Sequence, residues 1–159
     1  MKPRPPQLPL LLDAASPDVA ALWREGTCLP YLGGSVALRL DTACREAMLE
    51  GGILHLPLPP EATPRQIQDG AEAWLRTQVA DVIDAAVDII SRGMARPAPR
   101  ISFSFAARGN WWQLDAKGGL RFHWRLIEQS EGVIYQAVRQ AMANLPADQP
   151  EPDLFALAA

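Results

Sequence analysis

The chain has 159 residues, 48% hydrophobic and 21% charged, the balance of one soluble domain long enough to bury a core. A net charge of −3 and a pI near 5.3 give no broad positive field, so nucleic acid is not indicated as a partner. Cys28 and Cys44 show neither a metal-finger spacing nor the numbers of a disulfide framework, and read as free thiols of a reducing compartment.

Residues 1–26 are Pro-rich at first and weakly patterned, which predicts a tail or loosely docked arm. Met1-Lys2-Pro3-Arg4 is basic, but Pro5, Pro6, Pro9 and Asp13 interrupt any apolar run. No signal peptide and no membrane span are expected, and a cytoplasmic location follows. Gly33-Gly34 makes a turn before a strand at Val36–Leu40. Glu50-Gly51-Gly52 is a hairpin signal that pairs residues near 46–49 with Ile53–Leu58, and Pro57, Pro59 and Pro60 end the sheet.

Thr63-Pro64-Arg65-Gln66 predicts a helix start, with Thr63 as N-cap, Pro64 in the first helical position and Gln66 completing a capping box. An apolar period of 3.6 residues then runs to Ile90, with Trp74, Leu75, Val82, Ile83 and Val87 as the main core anchors and Gly93 as the stop. Ile101, Phe103 and Phe105 alternate with Ser102 and Ser104, a half-buried strand. Trp111–Leu114 and Leu120–Trp124 read as strands joined by Ala116-Lys117-Gly118-Gly119. The last helix is expected from Glu131 to Leu145, with Val133, Ile134, Ala137, Val138, Ala141, Met142 and Leu145 on one stripe. Pro146 ends it, and 147–159 is a Pro- and acid-containing tail.

Residues Gly118-Gly119-Leu120-Arg121-Phe122-His123-Trp124-Arg125-Leu126-Ile127, leading into Val133–Leu145, resemble the core of the YgjP-like, SprT-related zinc metallopeptidases. In that family a strand ending Trp-Arg-Leu-Ile is followed without a gap by an H-E-x-x-H helix. Tyr31–Leu40, Gly52–Pro60, Thr63–Ile67 and Ala73–Arg76 resemble other segments of the same domain, so the similar region runs from about Leu29 to Leu145. The resemblance implies an α+β minimal-zincin fold, a small antiparallel sheet packed on two main helices. It divides the chain into an arm at 1–26, a metallopeptidase-like domain at 27–146 and a tail at 147–159.

The register holds but the chemistry does not. The family's His, Glu and His fall on Gln140, Ala141 and Asn144. Zinc needs two imidazoles one helical turn apart and a carboxylate to activate water, whereas side-chain amides are poor zinc ligands and Ala141 can take no proton. The C-terminal segment that carries the family's third histidine has no counterpart either. Zinc is therefore expected for the family and not for this chain, with no catalytic residues. His55 and His123 are the only histidines, and both are expected as strand residues rather than ligands. Glu128, Glu131 and Asp115 fall near the old cleft by analogy, a set that would suit magnesium or calcium better than zinc. Relatives carry an Arg-Trp-Gly-Ser-type motif beside the active site, where this chain reads Asn110-Trp111-Trp112-Gln113. Trp111, Trp112, His123 and Trp124 are thus candidates for a filled groove or a protein interface.

The expected function is that of a degenerate, non-catalytic relative acting as a binding or regulatory protein. Alternatives are a hydrolase with a rearranged metal site, or an interaction module that uses its tails or Trp face. Gln7-Leu8-Pro9-Leu10-Leu11 resembles the short peptides that dock on bacterial sliding clamps. Leu157-Ala158-Ala159 looks like the end of the tmRNA-encoded degradation tag.

Overall fold

The computed structural model describes residues 23–146. The proposed arm, with Gln7–Leu11, and the tail ending in Leu157-Ala158-Ala159 lie wholly or mostly outside the described residues. The described chain divides between two compact units, one holding 23–29 and 35–74, the other 30–34 and 75–146. Among the described residues no helix is long and apolar enough to cross a membrane.

The first unit is built on a four-stranded sheet ordered β1-β2-β4-β3, where β1 is Cys28–Tyr31, β2 Gly34–Leu40, β3 Met48–Glu50 and β4 Ile53–Leu56. The hairpin of β3 and β4 turns at Gly51 and Gly52, with φ of 58° and 78°, and Glu50 pairs with Ile53. A two-residue turn with both φ values positive matches the right-handed twist of the strands, and only glycine enters it without a Cβ penalty. Alternation follows in β4, where Leu54 and Leu56 are buried and Ile53 and His55 half-buried. The apolar interior of this unit also takes Leu29, Val36, Leu38, Ile67, Ala71 and Trp74.

Helix α1, Pro64–Gly93, begins where the sequence places it. The Gln66 N–H donates to Thr63 Oγ1 at 3.2 Å, and the Thr63 N–H donates to Gln66 Oε1 at 2.9 Å, so the capping box is reciprocal. Of the expected anchors, Trp74, Leu75, Ile83 and Val87 are buried, while Val82 is half-buried and Val79 takes the deeper position. The stop also differs from expectation. Gly93 is still helical, and the left-handed residue is Ala95, with φ of 51°. The Ala95 N–H reaches Arg92 O at 3.2 Å and the Arg96 N–H reaches Ser91 O at 3.1 Å, the two bonds of a Schellman cap.

The second unit carries a three-stranded sheet ordered β5-β7-β6, where β5 is Ile101–Ser104, β6 Trp112–Leu114 and β7 Leu120–His123. After β7 a 3-10 helix, Trp124–Glu128, leads into α2, Glu131–Ala143. Phe122, Leu126, Ile127, Ile134, Val138, Ala141 and Met142 are buried here with the α1 residues Leu75 to Ile90.

The α+β class is as the sequence implies, but the single antiparallel sheet is not. Among the described residues there are two sheets, and both are mixed: β2 runs parallel to β4 and β5 runs parallel to β7. The hairpin signals correctly mark the antiparallel pairs β3–β4 and β6–β7. The parallel neighbours come from strands separated by a hairpin partner, and alternation of side chains carries no information on strand direction.

A non-glycine residue in the left-handed region costs about 1–2 kcal/mol. Ala95→Gly should therefore stabilise the chain by about 1 kcal/mol and raise Tm by roughly 2–4 °C, once the added freedom of the unfolded chain is offset. An unchanged or lower Tm in a thermal melt would contradict the cap.

Candidate functional site

The inherited place is built by β6, β7, the 3-10 helix and α2. β7 ends at His123, whose backbone N–H donates to Trp111 O at 2.9 Å. The His123 ring is 3% exposed, and both its nitrogens are engaged. Nδ1 accepts the Arg125 backbone N–H at 3.2 Å, which caps the 3-10 helix, and Nε2 lies 2.9 Å from Ala106 O. A carbonyl can only accept, so Nε2 carries the proton and Nδ1 does not. No lone pair remains for a metal. Trp111 meets the His123 ring edge-on with centroids 6.1 Å apart.

Trp124 is buried, with the Arg125 guanidinium 5.0 Å and the Arg76 guanidinium 5.9 Å from its ring centroid. Arg125 also pairs with Glu128 at 3.1 Å. Asp115 is used locally, accepting the Lys117 N–H at 3.1 Å in the β6–β7 turn. Glu131 opens α2 and, after burial itself, helps push the Tyr31 hydroxyl pKa upward. These three carboxylates do not converge.

The entry of α2 is held from two sides. Ser130 caps it by accepting the Val133 N–H at 3.3 Å. The turn Leu32-Gly33, with φ of 47° and 80°, sits against the same point. Leu32 N–H donates to Ile127 O at 2.7 Å and Gly33 N–H to Glu128 O at 3.2 Å, which satisfies the last carbonyls of the 3-10 helix. A Cβ on Gly33 would stand 3.0 Å from Ser130 Cβ. The sequence places a Gly33-Gly34 turn before a strand at Val36–Leu40; here the turn is Leu32-Gly33, and it separates β1 from β2, which begins at Gly34.

The three positions matching H-E-x-x-H have different fates. Gln140 is exposed and lines a groove of about 460 Å³ with Asn110, Trp111, Trp112, Gln113 and Ala137. Ala141, which the resemblance aligns with the base, is 0% exposed. Asn144 is not the second ligand position of a continuing helix. α2 stops at Ala143 and Asn144 is its C-cap, with its Nδ2 donating to Gln140 O at 2.7 Å. Arg96 supplies the remaining cap, donating to Met142 O at 3.5 Å and Pro146 O at 2.9 Å. Trp111 is 41% exposed and Trp112 half-buried at the groove, whereas His123 and Trp124 lie in the interior.

Similarity to known proteins agrees with this architecture. The sequence model of the YgjP-like, metallopeptidase domain family matches residues 12–135. The chain belongs to the YgjP-like metallopeptidase domain family. No curated protein and no solved structure matches it. The family match ends at Tyr135, five residues before Gln140, so the correspondence of 140, 141 and 144 rests on ungapped continuation of α2. The zinc that this family implies does not fit these residues, since one amide, one methyl and one amide spent on a helix end supply no zinc donor set.

Among the described residues, one set of three metal-ligating side chains does converge, and the sequence reading passed over it. Asp41, Cys44 and His55 bring one ligand atom each within 4.8 Å of one another. The sequence reads Cys44 as a free thiol and His55 as a strand residue rather than a ligand. The available signal was Asp-x-x-Cys at the end of β2, with His55 on the strand that proves to be its parallel neighbour. The Ala43 N–H, burial being opposed to it, holds the Asp41 carboxyl below the usual range, with Cys44 and His55 adding in the same direction. Burial, then the Asp41 carboxylate, pushes the Cys44 thiol up.

Position 141 can be tested directly. A carboxylate at a fully buried, unpaired site costs on the order of 3–5 kcal/mol, a large part of a typical stability of about 5–15 kcal/mol. Ala141→Glu should therefore shift the urea midpoint far down, while Gln140→Glu stays within about 0.5 kcal/mol of the parent. Equal midpoints would mean that residue 141 opens into the groove.

Proposed function

We propose that this chain is a member of its family that works by binding, not by zinc-dependent peptide hydrolysis. The observation that carries the reading is the burial of Ala141, which ungapped continuation of the resemblance aligns with the family's base and which has no exposed surface. Hydrolysis at this place would need a metal to activate water and a group to take the proton. Gln140 and Ala141 provide neither, and the Asn144 amide is held by the helix end.

What the place offers instead is a recognition surface. The groove beside α2 is lined by two tryptophans and three side-chain amides, Asn110, Gln113 and Gln140. Indole faces supply large apolar area at little entropy cost, and amides both donate and accept toward a backbone. That chemistry suits an extended polypeptide segment, the substrate class of a peptidase cleft, held without being cut. Docking on a sliding clamp through Gln7–Leu11 remains a separate proposal for the N-terminal arm.

The test is hydrolysis of a fluorescent unfolded protein by the full chain with zinc supplied. No turnover above the protein-free rate is expected. Turnover abolished by both a chelator and Gln140→Ala would overturn the reading, because it would locate metal-dependent chemistry at the inherited place.

A further inference from the structure

We infer that Asp41, Cys44 and His55 form a zinc-binding site with an open fourth position. This site shares no residue with the groove beside α2 and does not rest on the binding role proposed for that groove.

Backbone pairing builds the site. Asp41 directly follows β2, and its N–H donates to Leu56 O at 2.8 Å, which ties it to the parallel neighbour β4. His55 precedes Leu56 on that strand. From Asp41 the chain turns at once: the Ala43 N–H donates to Asp41 Oδ1 at 2.9 Å and the Cys44 N–H to Asp41 O at 3.2 Å. This local turn is the usual use of an Asp side chain. It occupies Oδ1 and leaves Oδ2 aimed at the other two residues. Oδ2 lies 3.4 Å from His55 Nδ1 and 3.6 Å from Cys44 Sγ.

Those separations are the edges of a zinc tetrahedron. Bond lengths of about 2.3 Å to sulfur and about 2.0–2.2 Å to nitrogen and oxygen give edges of roughly 3.5 Å for O···S and roughly 3.3 Å for O···N. The observed edges match both closely. Hydrogen bonding accounts for the pair involving sulfur but not for the imidazole. His55 Nδ1 is shut off from solvent and has no hydrogen-bond partner. At 3.4 Å, Asp41 Oδ2 lies beyond the usual hydrogen-bond distance from it. A buried nitrogen left in this way is costly, and a metal at the centre of the three atoms would satisfy it.

The donor set selects the ion. Carboxylate, thiolate and imidazole together suit zinc and its softer first-row neighbours, whereas magnesium and calcium take oxygen. Three protein ligands leave one position of a tetrahedral ion unfilled by these side chains, and Asp41, its side chain 30% exposed, marks the side on which solvent lies. The fourth position is therefore open to water or to a small anionic ligand, as in reactive rather than purely structural zinc sites.

The full-length chain, stripped by chelator dialysis, is titrated with Zn2+ against a chromophoric competitor, and with Co2+ in the spectrophotometer. The expected result is one equivalent per chain, with a thiolate-to-cobalt charge-transfer band and visible bands of tetrahedral cobalt. Cys44→Ser and His55→Gln should each weaken zinc binding by more than ~100-fold, beyond what losing an outer-shell partner costs. Cys28→Ser and Gln140→Ala should leave it unchanged. Absence of the charge-transfer band in the unaltered chain would overturn the site whatever the variants do. So would affinity that survives Cys44→Ser or falls with Gln140→Ala.

Discussion

The apolar stripe of α2 decides what the inherited place can be. Ile134, Ala137, Val138, Ala141 and Met142 are buried at spacings of three and four residues, which fixes the rotation of the helix. Gln140 is then turned to the groove and Ala141 to the interior. Rolling the helix by one residue, to bring 141 into the groove, would turn Ile134 and Ala137 out of the interior and carry Tyr135 and Arg139 into it. Exposing Ile134 costs about 1.5–3 kcal/mol and burying the Arg139 charge unpaired about 3–5 kcal/mol more, a large part of a typical stability of about 5–15 kcal/mol. The packing of α2 therefore turns residue 141 away from the groove.

The ends of α2 are fixed as firmly as its face. Its entry is capped by Ser130 and steadied by the Leu32-Gly33 turn on the 3-10 helix. Its exit is capped by Asn144 and Arg96, which take up carbonyls that a longer helix would have satisfied. His123 works in the same cause, with one ring nitrogen starting the 3-10 helix and the other bonded to a loop carbonyl. His123, Ser130 and Asn144 are spent on turns and helix ends. The groove keeps Gln140, Gln113 and the two tryptophans.

Local features were legible in the sequence, and pairings between distant segments were not. The Thr63–Gln66 capping box and the Gly51-Gly52 turn each involve four neighbouring residues, so the chain spells them out. The stop of α1 was misplaced because Ala95 adopts a conformation that glycine usually marks. The parallel pairs β2–β4 and β5–β7 leave no trace in alternation, which is why one antiparallel sheet was expected. The same blindness hid Asp41, Cys44 and His55, since only the β2–β4 register brings His55 beside the turn after β2. The resemblance carried by Trp124-Arg125-Leu126-Ile127 identified the family, but not that Asn144 would end its helix.

The rotation of α2 is the central claim, and cysteine accessibility reports it most directly. In a Cys28→Ser, Cys44→Ser background, Gln140→Cys and Ala141→Cys are exposed to a thiol reagent under native conditions. Gln140→Cys should react at the rate of an exposed thiol, and Ala141→Cys only as fast as the chain opens or unfolds. Comparable rates at the two positions, or faster labelling at 141, would place the buried face elsewhere and contradict the account.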